Sequence, residues 1–572
     1  MGSQVCNFIW LGICFEPAAS GASDPIFGIA DFLATVAIFV VAYGLSEPRY
    51  KFRAAASTLA DTHLLFGATL VSGVILLVSS VWFSLELPIP VKLNNPLIFQ
   101  ATIAGLLIAV LAFWMFRTFV KPPRFSRRNA IPFSRQVYFS ITDGDEAKLL
   151  AAAHEIGRSA EILVREASRL DVRRNLIKGG FEDYRPETSQ IAYDILGLLG
   201  DRRFCRIVAQ KSPWVAAEIF RTAAEDGIDV RPLVPFARNV SDEFFLDENS
   251  AIHHEGDGYY SGLIGHLKPI TTAFFGNSDL IERLARHNGS PLELMWLSHG
   301  LWKIASWETY SRVALLYLRD SLKKGQGAYV NFGLSQIFSG YEHICNDIHR
   351  VDEMTDRDYY QSLEFQKFQN AIDFIRDIIA LLDKNKVFGA RQPEMRHDRP
   401  DMDNIYNQLA KLALELMGGA GSVLTSDFRG WTVQHNTLWV NLMREYEESP
   451  ARAVFRARLQ RLIWTEISQM ERMPNYGGAR ILAVCLNTMG FRLDIKVHKP
   501  VATRALKRMV LTWVRTNFLT LHREYPDVAR ACIGGTITFD QENGRLVKTY
   551  RGSLGKEPAR EFLELEGFKA EN

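Results

Sequence analysis

Before residue 121 this chain holds three apolar runs of 20 residues each, and no other feature constrains its fold so strongly. Residues 26–45 read IFGIADFLATVAIFVVAYGL, residues 64–83 read LLFGATLVSGVILLVSSVWF, and residues 97–116 read LIFQATIAGLLIAVLAFWMF. A helix rises 1.5 Å per residue, so about 20 apolar residues match the roughly 30 Å hydrocarbon core of a bilayer. The runs therefore predict three transmembrane helices, at about 26–45, 64–83 and 97–116.

Lys and Arg near the span ends set the expected orientation. The first 25 residues carry none, the loop before the second run carries Arg49, Lys51 and Arg53, and the loop before the third carries Lys92. After the third run come Arg117, Lys121, Arg124, Arg127, Arg128 and Arg135. Positive loops stay cytoplasmic, so the pattern predicts a multi-pass protein of a bacterial inner membrane, with its N-terminus outside and its large C-terminal part inside. Arg117, Lys121, Arg124, Arg127 and Arg128 are then a topological anchor that meets anionic lipid headgroups, at about 1 kcal/mol per basic residue. Asp31 lies inside the first run, where an acid marks either an ion path or a wet rim. Small residues at 67, 68, 72 and 73 offer a helix-packing face, either within one chain or between the chains of a homo-oligomer. Cys6 and Cys14 flank a short apolar segment on the expected outer, oxidising side, where they form either a disulfide or two free thiols. The other four cysteines are isolated, as buried thiols are in a reducing compartment.

The expected organisation is an extracytoplasmic segment (1–25), a three-helix transmembrane domain (26–120), a basic juxtamembrane linker (121–142), a helical segment (143–200), a mixed α/β segment (201–280), a mainly helical domain (281–525), and a β-hairpin with a tail (526–572). The fold class is thus a polytopic α-helical membrane protein with a large, mainly α cytoplasmic region containing a small α/β element and a C-terminal hairpin. Most of the cytoplasmic region repeats apolar residues at three- and four-residue steps. RRFCRIVAQ and VRPLVPFA read as short strands. TITFDQENGRLVKTY reads as a hairpin around Glu-Asn-Gly, and KEPAREFLELEGFKAEN as a surface helix and tail.

A formal net charge of +2 argues against nucleic acid as a partner. Nucleotide loops, kinase elements, a nucleophile elbow and a zinc-protease helix are missing, so an enzyme of those kinds is not expected. The strongest chemical constellation is SAIHHEGDGYYSGLIGH. In an extended backbone His253, Glu255 and Asp257 share a face, and His266 adds a fourth ligand for a divalent metal. The plainer reading is a glycine-rich polar loop. Two weaker sets are His343, Asp347 and His349 on an expected helix, and Arg391, His397 and Asp398 in a Pro-rich loop. Arg515 and His522 share a helical face.

These residues predict a membrane-anchored sensor, scaffold or regulatory protein whose cytoplasmic part meets an unidentified protein or ligand. One alternative is an oligomeric pore-forming or membrane-disrupting effector gated by that part, with Asp31 on the path. A second is a metal-dependent hydrolase built on His253, Glu255 and Asp257.

Overall fold

A computed structural model describes residues 8–10, 13–17, 29–45, 47–57, 59–85, 87–90, 96–116, 120–170, 187–257, 260–261, 265–266, 269–326, 331–342, 344, 346–355, 357–387, 404–425, 428–443, 449–493, 501–550 and 557–567. Among these the protein is mostly helical (74%), which sets the class as mainly α with small antiparallel sheets. Two units divide the chain, 1–236 and 237–572.

Unit 1 begins with strands β1 (Phe8–Trp10) and β2 (Ile13–Pro17). Helices α1 (Ile29–Leu45), α2 (Pro48–Ala55) and α3 (Leu59–Ser84) follow, then β3 (Pro88–Pro90) and α4 (Pro96–Met115). The three strands form an antiparallel sheet in the order β1-β2-β3, with Phe15 opposite Phe8 on one side and Pro90 on the other. So Phe8–Trp10 is an edge strand of this sheet and Ile13–Pro17 its central strand.

Among the described residues no helix is long and apolar enough to cross a membrane. The expected three spans, the multi-pass inner-membrane placement and its orientation are corrected on that finding. The physical measure is length. Helix α1 has 17 residues, which rise about 26 Å. That is short of the roughly 30 Å hydrocarbon core. Apolar side chains such as Leu33, Leu70, Leu106 and Ile108 are nevertheless exposed.

The core of unit 1 is built on α6 (Glu146–Ser168), against which α2, α5 (Ala130–Asp143), α7 (Thr188–Leu198), α8 (Arg202–Lys211) and α9 (Pro213–Ala223) pack. Asp145 starts α6 by accepting from the Lys148 amide at 3.0 Å. Alanine and glycine on α6 let neighbours approach closely. A methyl added at Gly157 would sit 2.6 Å from the Trp214 ring of α9. Phe133 of α5 meets Phe52 of α2 and Phe125 edge to face, at 5.5 and 5.6 Å.

The expected strand RRFCRIVAQ is helix α8. Its buried residues Phe204, Cys205, Ile207 and Val208 recur at helical steps, and Asp201 caps it by accepting from the Arg203 and Phe204 amides. VRPLVPFA is a 3-10 turn at Arg231–Leu233 leading into α10 (Val234–Leu246). Pro232 and Pro235 both stand in first turns, where a missing N–H costs nothing. Among its described residues the expected mixed α/β segment is therefore helical, apart from turns and the short pair β4 (Tyr260–Ser261) and β5 (Gly265–His266).

Unit 2 holds α11 (Ala251–Asp257), α12 (Pro269–Phe275), α13 (Ser278–Ala285), α14 (Ile304–Lys323) and α15 (Phe332–Glu342). Beyond these lie α16 (Leu363–Lys384) and α17 (Ile405–Ala420). Helix α18 (Phe428–Trp431) then passes into a π-helix at Thr432–Trp439 and on into α19 (Val440–Met443). The last helices are α20 (Pro450–Gln469), α21 (Tyr476–Met489), α22 (Val501–Glu524) and α23 (Pro526–Cys532).

The expected hairpin is present as β6 (Ile537–Asp540) and β7 (Arg545–Thr549). The expected terminal helix is instead β8 (Arg560–Glu564), paired to β7 so that β7 is central. Its inward residues are Glu561 and Leu563, while Phe562 points out, an inverted pattern that hides a strand from sequence reasoning. Buried Lys548 of β7 donates to the Asn487 carbonyl at the end of α21 and lies 4.8 Å from the Tyr550 ring centre.

Candidate functional site

The stretch expected to hold a metal is helical where its first residues fall. In α11, residues two apart point to opposite sides of the helix, so the shared face of His253, Glu255 and Asp257 is lost. His253 Nδ1 is 2.8 Å from Thr309 Oγ1, and its Nε2 is buried with no hydrogen-bond partner. Burial, and then the charge of Arg312, holds the imidazole below its ordinary value and so neutral. Glu255 accepts from the Ile270 and Thr271 amides at 3.0 and 2.7 Å. Those amides open α12, so Glu255 is a helix cap. The Asp257 and His266 side chains lie outside the described residues. Among the described residues no group of three or more His, Cys, Asp or Glu is placed to hold a metal ion.

The other expected sites separate. Asp31 is exposed in the first turn of α1. Cys6 and the Cys14 side chain lie outside the described residues, and so do Arg117, His343, Arg391, His397 and Asp398. The helix expected around Asp347 ends at Glu342, and Asp347 lies 3.6 Å from Lys367 Nζ. His349 Nδ1 is 2.9 Å from the Asn346 carbonyl. His522 packs on Phe539, with ring centres 4.9 Å apart.

A different cluster carries the strongest chemistry. Glu155 lies on the buried face of α6 and is 2% exposed. A lone carboxylate there would cost several kcal/mol. Three arginines meet it. From α2, Arg53 Nε donates to Oε1 at 2.7 Å and Arg49 Nε donates to the same oxygen at 3.2 Å. One turn along α6, Arg158 Nη1 donates to Oε2 at 3.0 Å. Helix α2 is brought there by Phe52, which packs into the α5 contact, and by Asn129, whose side-chain amide donates to the Ala56 carbonyl at 3.2 Å.

Three guanidiniums on one carboxylate leave two positive charges in excess. Charges about 5 Å apart in surroundings of effective dielectric near 20 repel by about 3 kcal/mol. Solvent at Arg49 screens part of this. Arg158 registers the imbalance. Burial holds its guanidinium below the ordinary value, Glu155 opposes this, and Arg53, Arg124 and Arg49 add to the lowering. One anion thus holds three arginines, and a fourth, Arg124, is near enough to act on Arg158. Arg124, expected as a headgroup anchor, is exposed, while Lys121, Arg127 and Arg128 are exposed without joining the cluster's hydrogen bonds. Beside Glu155, His154 lies 3.0 Å from Ser212 Oγ. Burial, then Arg49, keeps His154 below its ordinary value.

Sequence reasoning counted Arg49 and Arg53 only as loop charge and missed Glu155 and Arg158. The available signal was a glutamate among Ala151, Ala152, Ile156 and Ala160, on what must be an apolar stripe. No protein-family model, curated protein or solved structure matches this chain.

Proposed function

We propose that this chain is a recognition protein of the sensor, scaffold or regulatory kind, and that it takes an anionic ligand at the guanidinium cluster of unit 1. One observation carries the reading: Arg49, Arg53 and Arg158 converge on a single buried carboxylate, Glu155, with charge left over. An ion cluster built only for stability would tend toward balance, because excess buried charge is costly. The engagement of Glu255 as a helix cap supports recognition over metal hydrolysis. The pore reading lacks such support, since among the described residues no helix is long and apolar enough to cross a membrane.

Thermal unfolding at fixed ionic strength tests this. Citrate or sulfate should raise the melting temperature by a few degrees over chloride, because a ligand that binds only the folded state stabilises by mass action. Arg158→Gln should abolish the difference. An equal response of wild type and variant to every anion would sink the reading.

A further inference from the structure

We infer that the ligand of this cluster is a phosphate group in its dianionic form, as inorganic phosphate or a small phosphomonoester, gripped by Arg49 and Arg158 with Arg53 beneath them. The inference rests on the recognition reading above and narrows it to a ligand class.

Charge comes first. Three guanidiniums and one carboxylate sum to +2, taking the three Arg–Glu155 pairs together. A dianion restores neutrality, whereas a single carboxylate ligand would leave one charge over. Phosphomonoesters carry close to two negative charges at neutral pH, their second pKa being about 6.

Donors come second. Each arginine meets Glu155 through a single nitrogen, Nε of Arg49, Nε of Arg53 and Nη1 of Arg158. None forms the two-pronged fork that a structural Arg–carboxylate pair prefers. A guanidinium has five N–H donors, so each keeps most of its fork for another acceptor. A tetrahedral oxyanion presents three or more acceptor oxygens in different directions, which suits several forks better than one planar carboxylate does.

Access comes third. The Arg49 and Arg158 side chains are 38% and 24% exposed, while Arg53 is 7% exposed. The cluster is therefore open on one side and closed beneath. Arg124 is exposed and close enough to act on Arg158, which extends the positive field toward solvent. Glu155 is a positioning residue: its two oxygens hold three side chains at one point and leave their remaining donors available.

The test is calorimetric titration of the full chain at pH 7.5 and constant ionic strength. The probes are inorganic phosphate, glycerol 3-phosphate and acetate. Saturable binding of either phosphate probe is expected, with acetate at least tenfold weaker. Arg49→Gln and Arg158→Gln should each weaken phosphate binding about tenfold, the loss of one charge-assisted contact. Arg49 is the more exposed, so its variant separates binding from folding, and melting curves of both variants check that they fold. The tighter of the two phosphate probes identifies the source. Acetate binding as tightly as phosphate, with both lost in Arg158→Gln, would overturn the phosphate assignment and leave an anion site. No binding by any probe would overturn both the assignment and the recognition reading.

Discussion

A carboxylate buried among guanidiniums ties stability to a single side chain. Replacing Glu155 by Gln removes the only anion bonded to Arg49, Arg53 and Arg158 among the described residues. Breaking a buried ion pair from one side costs about 3–5 kcal/mol. Glu155→Gln should lower the denaturant midpoint accordingly, and added phosphate should recover part of the loss. An unchanged midpoint would show that the cluster bears no structural load. Acid acts through different groups. His154 and His253 are both held below the ordinary imidazole value of 6.5, first by burial. The stability that goes with their neutral forms is present above 6.5 and is lost as pH falls from there through their folded values. Melting temperature should therefore drop between about pH 6.5 and 5, above the range where most carboxylates titrate. His154→Gln should flatten that drop, and a slope identical to wild type would exclude His154 as a source. At this scale the sequence was only partly legible. A charge pattern shows where arginines are, but not that α2 folds back onto α6 and gathers two of them on one glutamate.

Helices were the most legible elements, and strands the least. Asp201 before an apolar pattern, with Phe204, Cys205, Ile207 and Val208 following, is a helix start with helical spacing. Reading it as a strand gave β-like composition priority over period. The last strand failed for the opposite reason, since its inward position holds Glu561 and its outward one Phe562. Glu561 is kept by the Phe491 amide, which donates to it at 2.7 Å, a partner 70 residues away that no local pattern reveals. Close approach between elements is likewise hidden. Gly421 ends α17 at an ordinary helical φ of −69°, so its backbone does not need glycine. Its neighbour does: an added methyl would lie 2.7 Å from the Arg480 carbonyl carbon in α21. Gly421→Ala should destabilise by about 1–3 kcal/mol, against the few tenths to one kcal/mol that alanine would otherwise contribute by stiffening the unfolded chain. A denaturation midpoint at or above wild type would mean that α17 and α21 part at little cost.

For the molecule as a whole, buried thiols offer a way to follow each unit separately. Cys205 lies in unit 1, and Cys485 and Cys532 lie in unit 2, all three as buried thiols. Burial pushes Cys485 and Cys532 each up to about 12, so at neutral pH only about one in 10⁵ is a thiolate. Reaction of these three thiols with a disulfide reagent should be negligible in the native protein and should track unfolding in urea. Rapid labelling of Cys485 without denaturant would contradict the burial of α21. The sequence did suggest isolated buried thiols here. It also suggested three membrane spans, whereas among the described residues no helix is long and apolar enough to cross a membrane; apolar composition was legible, but what the helices make of it was not.

The order of strands in the C-terminal sheet has a consequence for synthesis. The central strand β7 is flanked by β6 before it and β8 after it, and β8 supplies Glu561 for the Phe491 amide. A chain emerging from the ribosome can therefore pack the helices around α6 early. The end of α21 must wait with an unmet amide until residues 560–564 appear. This sheet is thus completed only once β8 has been made, and a pause in translation between β7 and β8 would expose one open strand edge to other chains.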